Sequence, residues 1–186
     1  MRDTGRVVDR AQSSTFELKD AWTTHVLHDG DVIRHPRSHF LDWVVDGAPL
    51  RDSIIGTKAL VTPLNRPWLS EVAKSVQALT GRASEAELPA GRVGVFLCAV
   101  CGDVDVSAVL GLHESTVTWS DLRWEDAPSP LPVEGFPSTL TFERTEYERA
   151  LAGAYARVAS FPYEELDHRG RRFLWPWQWG WRLPRL

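Results

Sequence analysis

Residues 92–124 decide the fold. They run Arg92-Val93-Gly94-Val95-Phe96-Leu97-Cys98, then Ala99 to Asp103, then Val104 to Leu112, then His113-Glu114-Ser115, then Thr116-Val117-Thr118-Trp119 and on to Trp124. β-Branched and aromatic residues fill three runs, and short polar stretches separate them. That pattern predicts an antiparallel meander at the heart of the protein, with a strand over 93–98, another over 104–112, and a third opening at Thr116.

Upstream, Thr24 to Ile33 carries Asp29-Gly30 between apolar runs, a hairpin signal because glycine accepts the positive φ of a two-residue turn. Phe40-Leu41-Asp42-Trp43-Val44-Val45 is a second run, ended by Asp46-Gly47, and a short helix is expected over about 49–55. Arg66 to Leu79 reads as an amphipathic helix: Trp68, Leu69, Val72, Ala73, Val76 and Leu79 recur at three- and four-residue spacing. Asn65 is its expected cap, Pro67 suits its first turn, and Gly81 stops it.

Downstream, residues 82–91 and the prolines 128, 130 and 132 mark loops. Leu140-Thr141-Phe142 predicts a short strand. A second helix is expected from Thr145, where Thr145 and Glu148 have capping-box spacing, with Tyr147, Leu151, Ala154, Tyr155 and Val158 on its buried face. The expected fold class is therefore α+β, with a mainly antiparallel sheet and two principal helices. Residues 1–20 read as an irregular arm, 21–160 as one domain, and 161–186 as an aromatic tail packed on the domain or on a partner.

At 186 residues and 43% hydrophobic content the chain can bury a core without covalent staples. It shows no apolar run of the roughly 20 residues a bilayer requires and no signal-peptide pattern, so a cytoplasmic location is expected. Residues 168–186 hold five arginines and no acid. The remaining 167 residues hold 16 bases against 25 acids, a net −9. Such a body repels nucleic acid and suits a basic protein partner. Equally, an acidic surface serves simple solubility.

The tail Phe173-Leu174-Trp175-Pro176-Trp177-Gln178-Trp179-Gly180-Trp181 places a large apolar residue at every odd position, which is one face of an extended strand. Each indole can cover roughly 200 Å². Trp175, Trp177, Trp179 and Trp181 either seal the protein's own core, form a partner or homodimer interface, or stack on nucleic acid or a membrane surface. The acidic body argues against the last. Asp121, Glu125 and Asp126, clustered after the meander, are the acidic candidates for partner binding.

The two cysteines, Cys98 and Cys101, sit in one Cys-x-x-Cys. Structural zinc needs four protein ligands, and His35-x-x-x-His39 is the nearest two-histidine complement, in reversed order and distant in sequence. Redox use of the motif relies on a helix N-terminus to stabilise thiolate, whereas here Gly102-Asp103 leads into a strand. Two reduced cysteines beside a turn is the simplest reading.

The stretch around this motif resembles a family of uncharacterised actinobacterial proteins. The resemblance is carried by Cys98, Cys101, Gly102, Asp103, Ala108, Val109, Thr116, Val117, Trp119, Asp121, Trp124 and Glu125, with Leu41 to Gly47 and Phe142 similar as well. It covers roughly residues 40–155. Some relatives carry an oxidoreductase label, but Val106-Ser107 stands where they have cysteine and glycine, so any role of that further thiol does not carry over.

No phosphate-binding loop, dinucleotide fingerprint or nucleophile elbow occurs. Asp103 and Asp105 read as turn-flanking carboxylates, and a general acid/base pair drawn from His113, Glu114, Asp121, Glu125 and Asp126 lacks any demonstrated geometry. The expectation is a protein-binding module without catalytic residue or cofactor, in sharpest form an acidic immunity or inhibitor protein that neutralises a basic toxin domain. The alternative is a redox or zinc-binding protein centred on Cys98 and Cys101.

Overall fold

A computed structural model describes residues 13–24, 27–29, 32–34, 36–54, 60–125 and 129–163, with backbone alone described at 27–29 and 32–34. The Trp175–Trp181 stripe, Asp126 and His35 lie outside the described residues.

The architecture is α+β and mainly antiparallel, as the residue pattern predicts. Strand β1 (Phe16–Thr24) pairs along its whole length with β4 (Arg37–Val45), from Phe16↔Val45 to Thr24↔Arg37. Between them β2 (Leu27–Asp29) and β3 (Val32–Arg34) form the hairpin that Asp29-Gly30 signals. Asp46 (φ 50°) and Gly47 (φ 83°) then turn the chain into β5 (Ala48–Pro49). The Asp46 carboxylate secures this turn by accepting from the Thr15 backbone N–H at 2.8 Å. The short helix that follows is a single 3-10 turn, Leu50–Ser53.

β1 begins inside the stretch read from sequence as an irregular arm. Phe16 and Leu18 point into the core while Glu17 and Lys19 face out, so two apolar residues suffice to seat the strand.

The larger sheet runs β6 (Leu60–Val61), β7 (Arg92–Cys98), β8 (Val104–Leu112), β9 (Thr116–Trp124) in space. The far edge of β9 is shared: β11 (Thr139–Glu143) pairs with its first half and β10 (Leu131–Pro132) with its end. Two bridges tie the sheets together. Ser14 donates its N–H to the Thr141 carbonyl at 2.7 Å, and Leu41 N–H donates to Leu64 O at 2.9 Å. Strands therefore surround the core on both flanks.

Inside it, Phe16, Trp43, Trp119, Phe142 and Tyr147 form one aromatic cluster, with Trp43 edge-on to Trp119 at 5.4 Å between ring centroids. A smaller cluster of Phe40, Val61, Leu97 and Ala99 fills a second layer.

Helix α1 (Leu69–Leu79) buries Val72, Ala78 and Leu79. Asn65 acts one turn early: its Oδ1 accepts from Trp68 N–H at 3.1 Å, organising the entry to the helix. The expected second helix is two. α2 (Arg144–Leu151) and α3 (Ala154–Ala159) are separated by an extended Ala152 and by Gly153 at φ 78°. This break re-aims the chain, so Tyr155 is exposed and not part of the buried face. The cap also differs. Glu143, not Thr145, accepts from Thr145 N–H (3.0 Å) and Glu146 N–H (2.7 Å), while Glu148 is held by Arg144 at 2.9 Å. Those two backbone donors hold the Glu143 carboxyl below its ordinary pKa.

No helix among the described residues is long and apolar enough to cross a membrane.

Candidate functional site

The Cys-x-x-Cys occupies the turn between β7 and β8. Cys98 N–H donates to Asp103 O at 2.9 Å, and Gly102 N–H donates back to Cys98 O at 3.0 Å. This leaves residues 98–101 as one tight turn that only a residue tolerant of φ 80° can close, and Gly102 supplies it. Gly102 is needed for a second reason: a β-carbon there would fall 2.7 Å from the Trp68 indole, which lies across the turn.

Within the turn, Cys101 N–H donates to the Cys98 sulfur at 3.3 Å. Cys98 is half-buried and Cys101 exposed. Desolvation raises the Cys98 pKa, but hydrogen bonds from the Cys101 thiol and from the Cys101 and Val100 amides outweigh it and hold the thiol below its ordinary value. Cys101 moves the other way, to about 11, through local desolvation, its hydrogen bond to Cys98, and a side-chain hydrogen bond with Asp103. Thiolate stabilisation therefore comes from the Cys101 thiol and the turn amides, and not from the helix dipole that the motif relies on elsewhere.

Next to this turn lies a groove of about 580 Å³ between α1, the 83–87 loop and the start of β8. Its walls carry Glu71, Glu85, Glu87, Asp103 and Lys74, together with Cys101. Among the described lining residues Lys74 is the one base, and its Nζ lies 2.8 Å from Glu71 Oε2. Glu85 is structural as well as acidic. Both its oxygens accept from Gly94 N–H at 3.1 Å, where the two-residue β6 is too short to pair with β7. Desolvation raises the Glu85 pKa, against the lowering effect of that amide. Glu87 and Asp103 have no ion-pair partner among the described residues, so the described lining holds more acids than bases.

A second polar cluster centres on Arg92, at the start of β7. Its guanidinium, almost wholly buried, donates from Nε to Ser107 Oγ (2.8 Å), from Nη1 to Asp121 Oδ2 (3.1 Å), and from Nη2 to the carbonyls of Ser107 (3.2 Å) and Asp121 (2.9 Å). Glu125 approaches Nε at 3.3 Å and accepts from Ser107 Oγ. A strand irregularity makes this possible. Between Ser107↔Arg123 and Val109↔Ser120, β9 uses one residue more than β8, and Asp121 there takes φ 52°. Asp121 also binds Arg123 at 2.7 Å. The Arg123 hydrogen bond, assisted by the charges of Arg123 and Arg92, overcomes slight desolvation and lowers its pKa.

The sequence-level candidates are thus distributed. Asp121 and Glu125 meet at Arg92, Asp121 still partly exposed. Asp105 is buried and not a solvated turn carboxylate, its carbonyl accepting Glu125 N–H at 2.9 Å. His113 and Glu114 sit at the opposite end of the nine-residue β9 from Glu125, roughly 30 Å away at about 3.3 Å per residue, so no acid/base pair joins them. His39 lies on β4, its ring 6.1 Å from that of Phe161. Among the described residues no three His, Cys, Asp or Glu side chains converge as metal ligands, so Cys98, Cys101 and His39 do not form a partial zinc set. Glu71, Glu85, Glu87 and Trp68 carry no local sequence signal of a site, because only the fold brings the 83–87 loop against α1 and the cysteine turn.

No protein-family model matches the chain, and neither a curated protein nor a solved structure matches it significantly.

Proposed function

We propose that this chain is a non-enzymatic binding protein that engages a basic protein, in the manner of an acidic inhibitor or immunity protein. The observation that carries this reading is the groove beside α1, where Glu85, Glu87 and Asp103 face space that lacks a free cation among the described residues. A lysine or arginine entering it would leave water for a site of opposite potential, and the acidic body around it would speed the encounter. Asp121, on β9 beside Arg92, and the tryptophans 175, 177, 179 and 181 belong to the same reading as further contacts. Glu125 supports Asp121 through their shared Arg92.

The test is charge reversal. Proteins that the immobilised chain retains at low ionic strength are eluted with salt and titrated against a Glu87→Lys/Asp103→Lys variant and against a Glu114→Lys/Glu134→Lys control of equal net charge. The groove variant should lose at least about tenfold in affinity, or 1.4 kcal/mol, and the control less than about threefold. Equal losses would reduce the effect to overall charge and exclude the groove as the binding site.

A further inference from the structure

Independently of any partner, the turn between β7 and β8 has the makings of a reaction centre. Residues 98 and 101 begin and end one tight turn, closed by Gly102 N–H donating to Cys98 O. Such a turn brings its end α-carbons within about 7 Å, which overlaps the roughly 4.4–6.8 Å that a disulfide spans. The Cys98 sulfur already curls back over the turn to accept the Cys101 N–H. Neither sulfur is sealed in the core, and Val100 between them is about half exposed. Trp68 on Gly102 fixes the far end of the turn, so small side-chain rotations can bring the sulfurs together without remodelling the strands.

We infer that Cys98 and Cys101 form a thiol–disulfide exchange site that reduces small external disulfides and closes into an intramolecular Cys98–Cys101 bond. In the first step the Cys98 thiolate attacks one sulfur of the external disulfide. That S–S bond breaks, one thiolate leaves, and a mixed disulfide forms on Cys98. In the second step Cys101 gives up its proton to water and attacks the Cys98 sulfur. The mixed disulfide breaks and the second thiolate departs. Two protein thiols are oxidised, one external disulfide is reduced, and the two released thiolates take up the two protons.

The order follows from the turn: the Cys98 sulfur accepts the Cys101 N–H, which stabilises its anion, and accordingly the Cys98 pKa lies below, and that of Cys101 above, the ordinary thiol value.

Oxidised glutathione is the probe. The wild-type chain is incubated with it, quenched by alkylation, and weighed intact by mass spectrometry. It should lose two hydrogens and carry no glutathione at the end point. Cys101→Ser should trap one glutathione on Cys98, forming at least about ten times faster than the adduct on Cys101 in Cys98→Ser. Wild-type protein that ends with glutathione on both cysteines, or stays fully reduced, overturns the inference. So does adduct formation at equal rates in the two variants. The wild-type arm stands even if a variant fails to fold.

Discussion

The indole Nε1 of Trp43 donates to the carbonyl oxygen of Val95 at 2.8 Å, across the core from β4 to β7. Val95 is the residue by which β7 outruns β8 between Gly94↔Ser107 and Phe96↔Val106. A bulge interrupts the ladder there, and the indole supplies a donor at that point. Trp43→Phe keeps the ring stacking with Phe16 (5.8 Å) but leaves a buried acceptor without its donor. It should cost about 1–3 kcal/mol, read from urea denaturation. A variant as stable as wild type would mean the carbonyl is satisfied otherwise.

Tyr147 makes a comparable link between helices and sheet. Its hydroxyl donates to Leu79 O at the end of α1 (3.0 Å) and accepts Trp119 Nε1 (3.2 Å). Burial pushes its pKa far above the ordinary tyrosine range, so it stays a neutral donor. Tyr147→Phe strands two buried groups at once and should destabilise by about 2–4 kcal/mol. Amide exchange at the C-terminal end of α1 should accelerate with it. Unchanged exchange there would show that the hydroxyl does not anchor the helix.

Gly102→Ala meets two obstacles, positive φ and the Trp68 ring. A loss of about 2–3 kcal/mol is expected. In the Trp68→Ala background the steric part disappears and about 1 kcal/mol remains. Additive losses in the double-mutant cycle would deny the contact.

Asp42 gives the pH dependence a definite sign. It is buried on β4, 2.8 Å from Arg51 Nε, and desolvation outweighs the arginine to raise its pKa to about 6. A group whose pKa is raised on folding binds its proton more tightly in the folded state, so its contribution falls as pH rises from about 4 to about 6. The stability of wild type minus that of Asp42→Asn should decline by about 2–2.5 kcal/mol between pH 4 and pH 7. A difference that is flat or grows with pH would contradict this.

The parts of the fold that are legible in the residues are those set by local periodicity. The meander and α1 announce themselves through alternation, through helical spacing, and through glycines at their ends. The helix break at Gly153 is hidden because Tyr147 to Val158 keeps a helical spacing on both sides of it. The bulges at Val95 and Asp121 leave no local mark either, since an extra residue in a strand looks like any other until its partner is known. Arg92 shows why the polar site is illegible: a lone arginine opening a strand gains meaning only when Ser107, Asp121 and Glu125 are folded around it. The groove is non-local in the same way, assembled from α1, the 83–87 loop and the cysteine turn.

The groove as a binding site is tested most directly by hydrogen exchange on the chain with and without a protein retained on it at low salt. Protection on binding should concentrate at residues 71–78, 83–87 and 101–104. Protection confined to α2 and α3, with those three segments unchanged, would place the partner elsewhere and contradict an acidic groove as the docking surface.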